Sequence, residues 1–75
     1  MKYDNSTKYA LEQESVKSAF EEAKKTKTKA SQMFLGDAIN RERAKYYNEK
    51  GYSNAKIAQE IGVSESFARS VLVTE

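Results

Sequence analysis

Only thirteen Ile, Leu, Val and Phe residues are available to build a core in this 75-residue chain, and they are spread unevenly. With Met and Tyr added, residues 33–73 carry 14 bulky apolar side chains, whereas residues 1–32 carry six: Met1, Tyr3, Tyr9, Leu11, Val16 and Phe20. A domain this small is marginal by itself, because a short chain buries a smaller share of its surface than a long one. Thirteen bulky residues in 75 is a proportion at which disorder competes with folding, but the strong net charge that usually accompanies disorder is missing. The distribution predicts a foldable C-terminal half preceded by an N-terminal extension, with disorder a question for residues 1–30 alone.

Several chemistries are excluded by what the chain lacks. Without Cys there is no disulfide framework and no thiolate metal site, and without His there is no imidazole base and no ordinary zinc site. The longest apolar runs are three residues, Met33-Phe34-Leu35 and Val71-Leu72-Val73, too short for a membrane span. The start, Met1-Lys2-Tyr3-Asp4, lacks the apolar stretch of a signal peptide, so a cytoplasmic location is expected. Ser, Lys, Tyr and Glu are present, but no spacing brings a nucleophile to a base. Asp4, Glu12 and Glu14 can be imagined as metal ligands, yet they fall on an exposed helical stretch. The expectation is a non-enzyme with no catalytic residues, metal, cofactor or small-molecule substrate.

The small positive charge has a location. Residues 1–36 hold seven Lys and five acids, which accounts for the whole +2, while residues 37–75 hold six basic and six acidic groups.

Hydrophobic spacing predicts an all-α fold. From Asn5 or Ser6 to about Lys25, Tyr9, Val16, Phe20 and Ala23 recur at steps of 7, 4 and 3, a thin apolar stripe along one helix. Residues 24–29, Lys-Lys-Thr-Lys-Thr-Lys, lower helix propensity and repel one another, which reads as a linker, frayed helix end or basic arm. A second helix begins near Ser31 or Asp37 and runs to Lys50. Gly36 inside it would cost about 1 kcal/mol relative to Ala, favouring the later start or a kink. Gly51 stops it. Ser53 caps a short helix over residues 54–61, Gly62 breaks it, and Ser64 caps a last helix over residues 65–73. Two units follow: residues 1–30, an N-terminal amphipathic helix with its Lys/Thr linker, and residues 31–75, a three-helix domain.

Residues 54–73 satisfy several packing requirements at once. Ile57 and Ile61 lie four apart and face inward, and Ala58 is small where a second helix crosses. Gly62 accepts a turn conformation that a Cβ would disfavour, and Val63 fills the space beneath the turn. Ala68 and Val71 lie three apart on the buried face of the last helix, with Leu72 beside them.

This pattern resembles a helix-turn-helix, carried by Gly51-Tyr52-Ser53-Asn54, Ile57-Ala58, Ile61-Gly62-Val63-Ser64 and Arg69 with Leu72. It is most similar to the trihelical, homeodomain-like kind found in resolvases, transposases, sigma-factor-like regions and many phage proteins. Arg41-Glu42-Arg43-Ala44-Lys45-Tyr46-Tyr47 resembles that family's first helix, with Ala44 and Tyr47 at core positions. The likeness covers about residues 37–73. The wording Ser-Glu-Ser-x-x-Arg-Ser-x-Leu is also similar to small or N-terminal domains of tailed-phage proteins. Two departures stand out. Ala68 replaces the usual Val or Ile, and Phe67 stands where a small polar residue is usual. Phe67 either rolls inward to restore bulk or is exposed to a thymine methyl or a protein surface.

The resemblance implies double-stranded DNA as the partner, with the last helix in the major groove. Glu65, Ser66, Arg69 and Ser70 would then read base edges, and Arg69 would bond guanine through two acceptors. Ser53, Asn54, Lys56, Ser64, Arg43 and Lys45 would meet phosphates. With three or four phosphate contacts on a neutral half, one copy would bind weakly, so a homo-oligomer, a basic arm or further domains of a longer chain are expected. An end so close after the last helix suggests an N-terminal piece of a longer protein, though a complete small protein is equally possible. The alternative is an assembly module, such as a phage packaging or virion component, joined through Phe67, Tyr9, Val16 and Phe20. For each surface charge, plain solubility competes with phosphate contact.

Overall fold

The computed structural model describes residues 4–73, which form five helices: α1 (Asn5–Leu11), α2 (Glu14–Thr26), α3 (Lys29–Glu49), α4 (Asn54–Ile61) and α5 (Glu65–Val73). No strand occurs among the described residues. The all-α expectation is met.

Helix α3 is the spine. Helices α1 and α2 pack along one part of it, and α4 and α5 pack on another. Two apolar clusters result. One contains Ala44, Ile57, Ala58, Ile61, Ala68 and Val71, with Tyr47, Val63, Phe67 and Leu72 against it. The other contains Ala10, Val16, Ala19 and Ala38, with Leu11, Leu35 and Ile39 against it. The second cluster packs α1 and α2 against α3 through apolar contacts of their own. Its members are mostly Ala, so a count of bulky residues undervalues it. Small side chains let helices approach closely and bury well without bulk. The division expected at residue 30 falls in the first turn of α3, so the spine serves both clusters.

The expected single N-terminal helix is two. Asp4 caps α1 by accepting from the Thr7 N–H at 2.8 Å. Gln13 then takes an extended conformation, and its side-chain amide donates to the Tyr9 carbonyl at 3.1 Å. Val16 lies six positions after Ala10, which in a continuous helix would put them on different faces. The break at Gln13 resets the phase, and both become buried. The stripe facing α3 is therefore Val16, Ala19 and Ala23, and Phe20 is left 47% exposed.

The Lys/Thr stretch is not a linker. Helix α2 continues to Thr26, Lys27 takes a left-handed conformation at φ 54°, and Thr28 already caps α3 by accepting from the Ser31 N–H at 3.1 Å. The Thr26 hydroxyl donates to Ser31 Oγ at 2.8 Å across this two-residue turn. With the cap at Thr28, α3 starts earlier than Ser31 or Asp37 and carries Gly36 in its interior.

The C-terminal elements follow the sequence pattern closely. Gly51 has φ 90°, Ser53 Oγ accepts from the Lys56 N–H, Gly62 is left-handed at φ 76°, and Ser64 Oγ accepts from the Phe67 N–H. Phe67 is partly buried against the cluster of Ile57 and Ala68, the inward of its two possibilities.

Candidate nucleic-acid interface

Helix α5 is amphipathic in a way that leaves one face outward. Ala68 and Val71 are buried, and Phe67 and Leu72 are half-buried on the same side. Glu65, Ser66, Arg69 and Ser70 are all exposed and lie together on the opposite side. All four candidate base-reading residues thus share a surface.

That surface is internally neutralised. Arg69 Nη2 lies 2.7 Å from Glu65 Oε1, a pair one helical turn apart with both side chains about half exposed. The Ser70 hydroxyl donates to the Phe67 carbonyl at 3.0 Å. An exposed pair of this kind is worth only a few tenths of a kcal/mol, roughly 0.3–0.5, so a competing partner for Arg69 can displace Glu65 easily.

The candidate phosphate ligands have mixed fates. Ser53 and Ser64 are exposed, with their hydroxyls used as helix caps. Asn54 opens α4 and is half-buried. Lys56 is exposed, lies 3.7 Å from Glu60 and sits over the Tyr52 ring. Lys45 pairs with Glu42 at 3.5 Å. Arg43 points inward. Its Nε donates to the Ser6 hydroxyl at 3.0 Å, and its Nη2 lies 3.3 Å from Asp4, with 18% of the side chain exposed. Holding α1 against α3 is a different task from meeting a phosphate, so Arg43 leaves the candidate set.

Asp4 is the centre of that latch. It caps α1, accepts from the Ser6 hydroxyl at 2.9 Å, and accepts from the Tyr47 hydroxyl at 3.3 Å. Hydrogen bonds from Thr7 hold its carboxyl well below the usual carboxylate range; desolvation opposes them, and the Ser6 hydroxyl and the Arg43 charge add smaller lowering effects.

Of the expected interface residues, Val16 is 1% exposed and belongs to the core. Tyr9 is half-buried beside Tyr46, ring centroids 5.5 Å apart, and Phe67 faces inward. Only Phe20 remains open. Sequence reasoning missed Met33, 64% exposed, and Phe34, 53% exposed, because it counted both toward the core of the C-terminal half. It also missed Glu42, which is 8% exposed and accepts from the Ser15 hydroxyl at 3.1 Å, linking α2 to α3.

No cluster of Asp and Glu among the described residues is arranged to hold a metal ion, and no helix there is long and apolar enough to cross a membrane. No protein family, curated protein or solved structure matches the chain.

Proposed function

We propose that this chain is a DNA-binding module of the helix-turn-helix kind, with α3, α4 and α5 as its three helices and α5 entering the major groove. The observation that carries the proposal is the outward face of α5. Four polar residues, Glu65, Ser66, Arg69 and Ser70, are presented on a short helix whose other side is locked to α4 through Ile57, Ile61, Ala68 and Val71. Short Ser side chains permit close approach to base edges, and Arg69 supplies a fork suited to guanine. Lys56, Lys45 and the capped start of α4 would meet the backbone. The module is a non-enzymatic regulator or targeting domain of bacterial or phage type, working in the cytoplasm.

Fluorescence anisotropy against a duplex library at low salt tests this. Binding should weaken steeply as salt rises and fall on Arg69→Ala. No binding above a scrambled control would end the proposal.

A second reading, an assembly module, is favoured by the uncovered Met33 and Phe34 on α3. The two readings are compatible in one protein.

A further inference from the structure

The N-terminal half of α3 has an outward face that the chain's own packing does not explain. Met33 is 64% exposed at its centre. On an α-helix, residues four before and four after a given position lie about 6 Å along the axis and about 40° to either side of it. For Met33 these are Lys29 and Asp37, one basic and one acidic, both exposed and neither in an ion pair with another described residue. Three before and three after are Ala30 and Gly36, also exposed and the two smallest side chains available. Phe34, 53% exposed, borders the face with Arg41 over its ring at 5.7 Å.

Two of these residues are unfavourable in an isolated chain. Gly36 sits inside a helix, where it costs about 1 kcal/mol relative to Ala. A Cβ added there would meet nothing within 4 Å, so nothing among the described residues requires glycine. Lys29 is the first residue of α3, where the helix dipole disfavours a cation, and the first turn holds no acid.

We infer that this face is self-complementary and binds a second copy of the same chain, the two α3 helices crossing antiparallel at Met33. A two-fold axis through Met33 puts Lys29 of one copy at the level of Asp37 of the other, and the reverse, so both charges are matched twice by one operation. The acid also reaches the N-terminus of the facing α3, offsetting the local dipole. Ala30 of one copy likewise comes level with Gly36 of the other, one residue nearer the axis, and these small residues leave room for the backbones to approach. Met33 meets its own copy at the axis, where an unbranched, adaptable side chain fits well. A shift of axis that set Lys29 against Arg41 would bring like charges together, which favours the Met33 register. The inference stands apart from DNA binding, because self-association is measured without nucleic acid.

Sedimentation velocity on the full chain, over a concentration series, is the test. The wild type should associate reversibly to a dimer. Met33→Asp should weaken it at least roughly tenfold, about 1.4 kcal/mol, by placing like charges on the axis. Lys29→Asp and Asp37→Lys should each weaken it, and the double variant should recover it, because the swap restores both pairs. Gly36→Leu should block it, whereas Phe20→Asp should leave it unchanged. All of these positions are exposed, so retained helical circular dichroism will show that each variant folds. Met33→Cys supplies the chain's single thiol and should form an inter-chain disulfide under mild oxidation, while Phe20→Cys should not. A wild type that stays monomeric throughout, a dimer indifferent to Met33→Asp, or a charge swap that fails to recover association would each overturn the inference.

Discussion

Arg43 on α3 donates to the hydroxyl of Ser6 on α1 at 3.0 Å, across 37 positions of sequence. Ser6 is fully buried, and its hydroxyl in turn donates to Asp4, whose other carboxylate oxygen meets Arg43 and the Tyr47 hydroxyl. The start of α1 is thereby fastened to α3 by polar bonds as well as by the apolar cluster around Ala10.

Removing that fastening should destabilise the whole domain. Arg43→Ala should lower unfolding free energy by about 1.5–3 kcal/mol, the range for a hydrogen bond to a charged group. Arg43→Lys should recover only part, because an ammonium lacks the fork that serves Ser6 and Asp4 together. Urea unfolding followed by circular dichroism will measure both. A phosphate-binding Arg43 would instead change DNA affinity and leave stability alone.

The same latch should make stability acid-sensitive. Asp4 has its pKa depressed in the folded state, so it binds protons less readily there than in the unfolded chain. Its contribution is complete above the unfolded value of about 3.9 and is lost as pH falls from there toward the lower folded value. Asp4→Asn should flatten the stability profile below about pH 4 while the wild type falls, as measured by urea titrations at successive pH values. Equal acid sensitivity in both proteins would show that Asp4 does not govern it.

Glu65 should act as a brake on DNA affinity. It occupies Arg69 at 2.7 Å and carries a negative charge on the face proposed to meet DNA. Glu65→Gln should therefore tighten duplex binding, while Arg69→Ala should weaken it by about 1–3 kcal/mol if Arg69 reads a guanine. Anisotropy titrations at one fixed salt concentration will separate the two. If the pair is only a surface ornament, neither change will alter affinity.

Two helix ends share one backbone geometry with different residues. Gly62 at φ 76° closes α4, and Lys27 at φ 54° closes α2. A Cβ in the left-handed region costs about 1–2 kcal/mol. Gly62→Ala should lower the melting temperature, and Lys27→Gly should raise it. Thermal melts by circular dichroism will show the opposite signs, and a destabilising Lys27→Gly would place the strain elsewhere.

Much of the C-terminal half was legible from residue order. Ser53, Gly62 and Ser64 act through bonds to neighbours a few positions away, so local chemistry announces them. Ile57, Ile61, Ala68 and Val71 repeat at helical spacing, and the period alone places them inward. The candidate base-reading face follows from the same periodicity.

Residue order thus fixes the helical class, the caps and glycine stops, and the inward and outward faces of α4 and α5. These depend on interactions within a turn or two. The packing of helix on helix settles that α1 and α2 are separate, that Ala10, Ala19 and Ala38 form a second core, that Arg43 turns inward to Ser6, and that Met33 and Phe34 stay uncovered. Each of these depends on which helix lies opposite. An alanine is valuable only where a partner helix comes close, a methionine is core only where one covers it, and an arginine meets phosphate only where no buried acceptor claims it first.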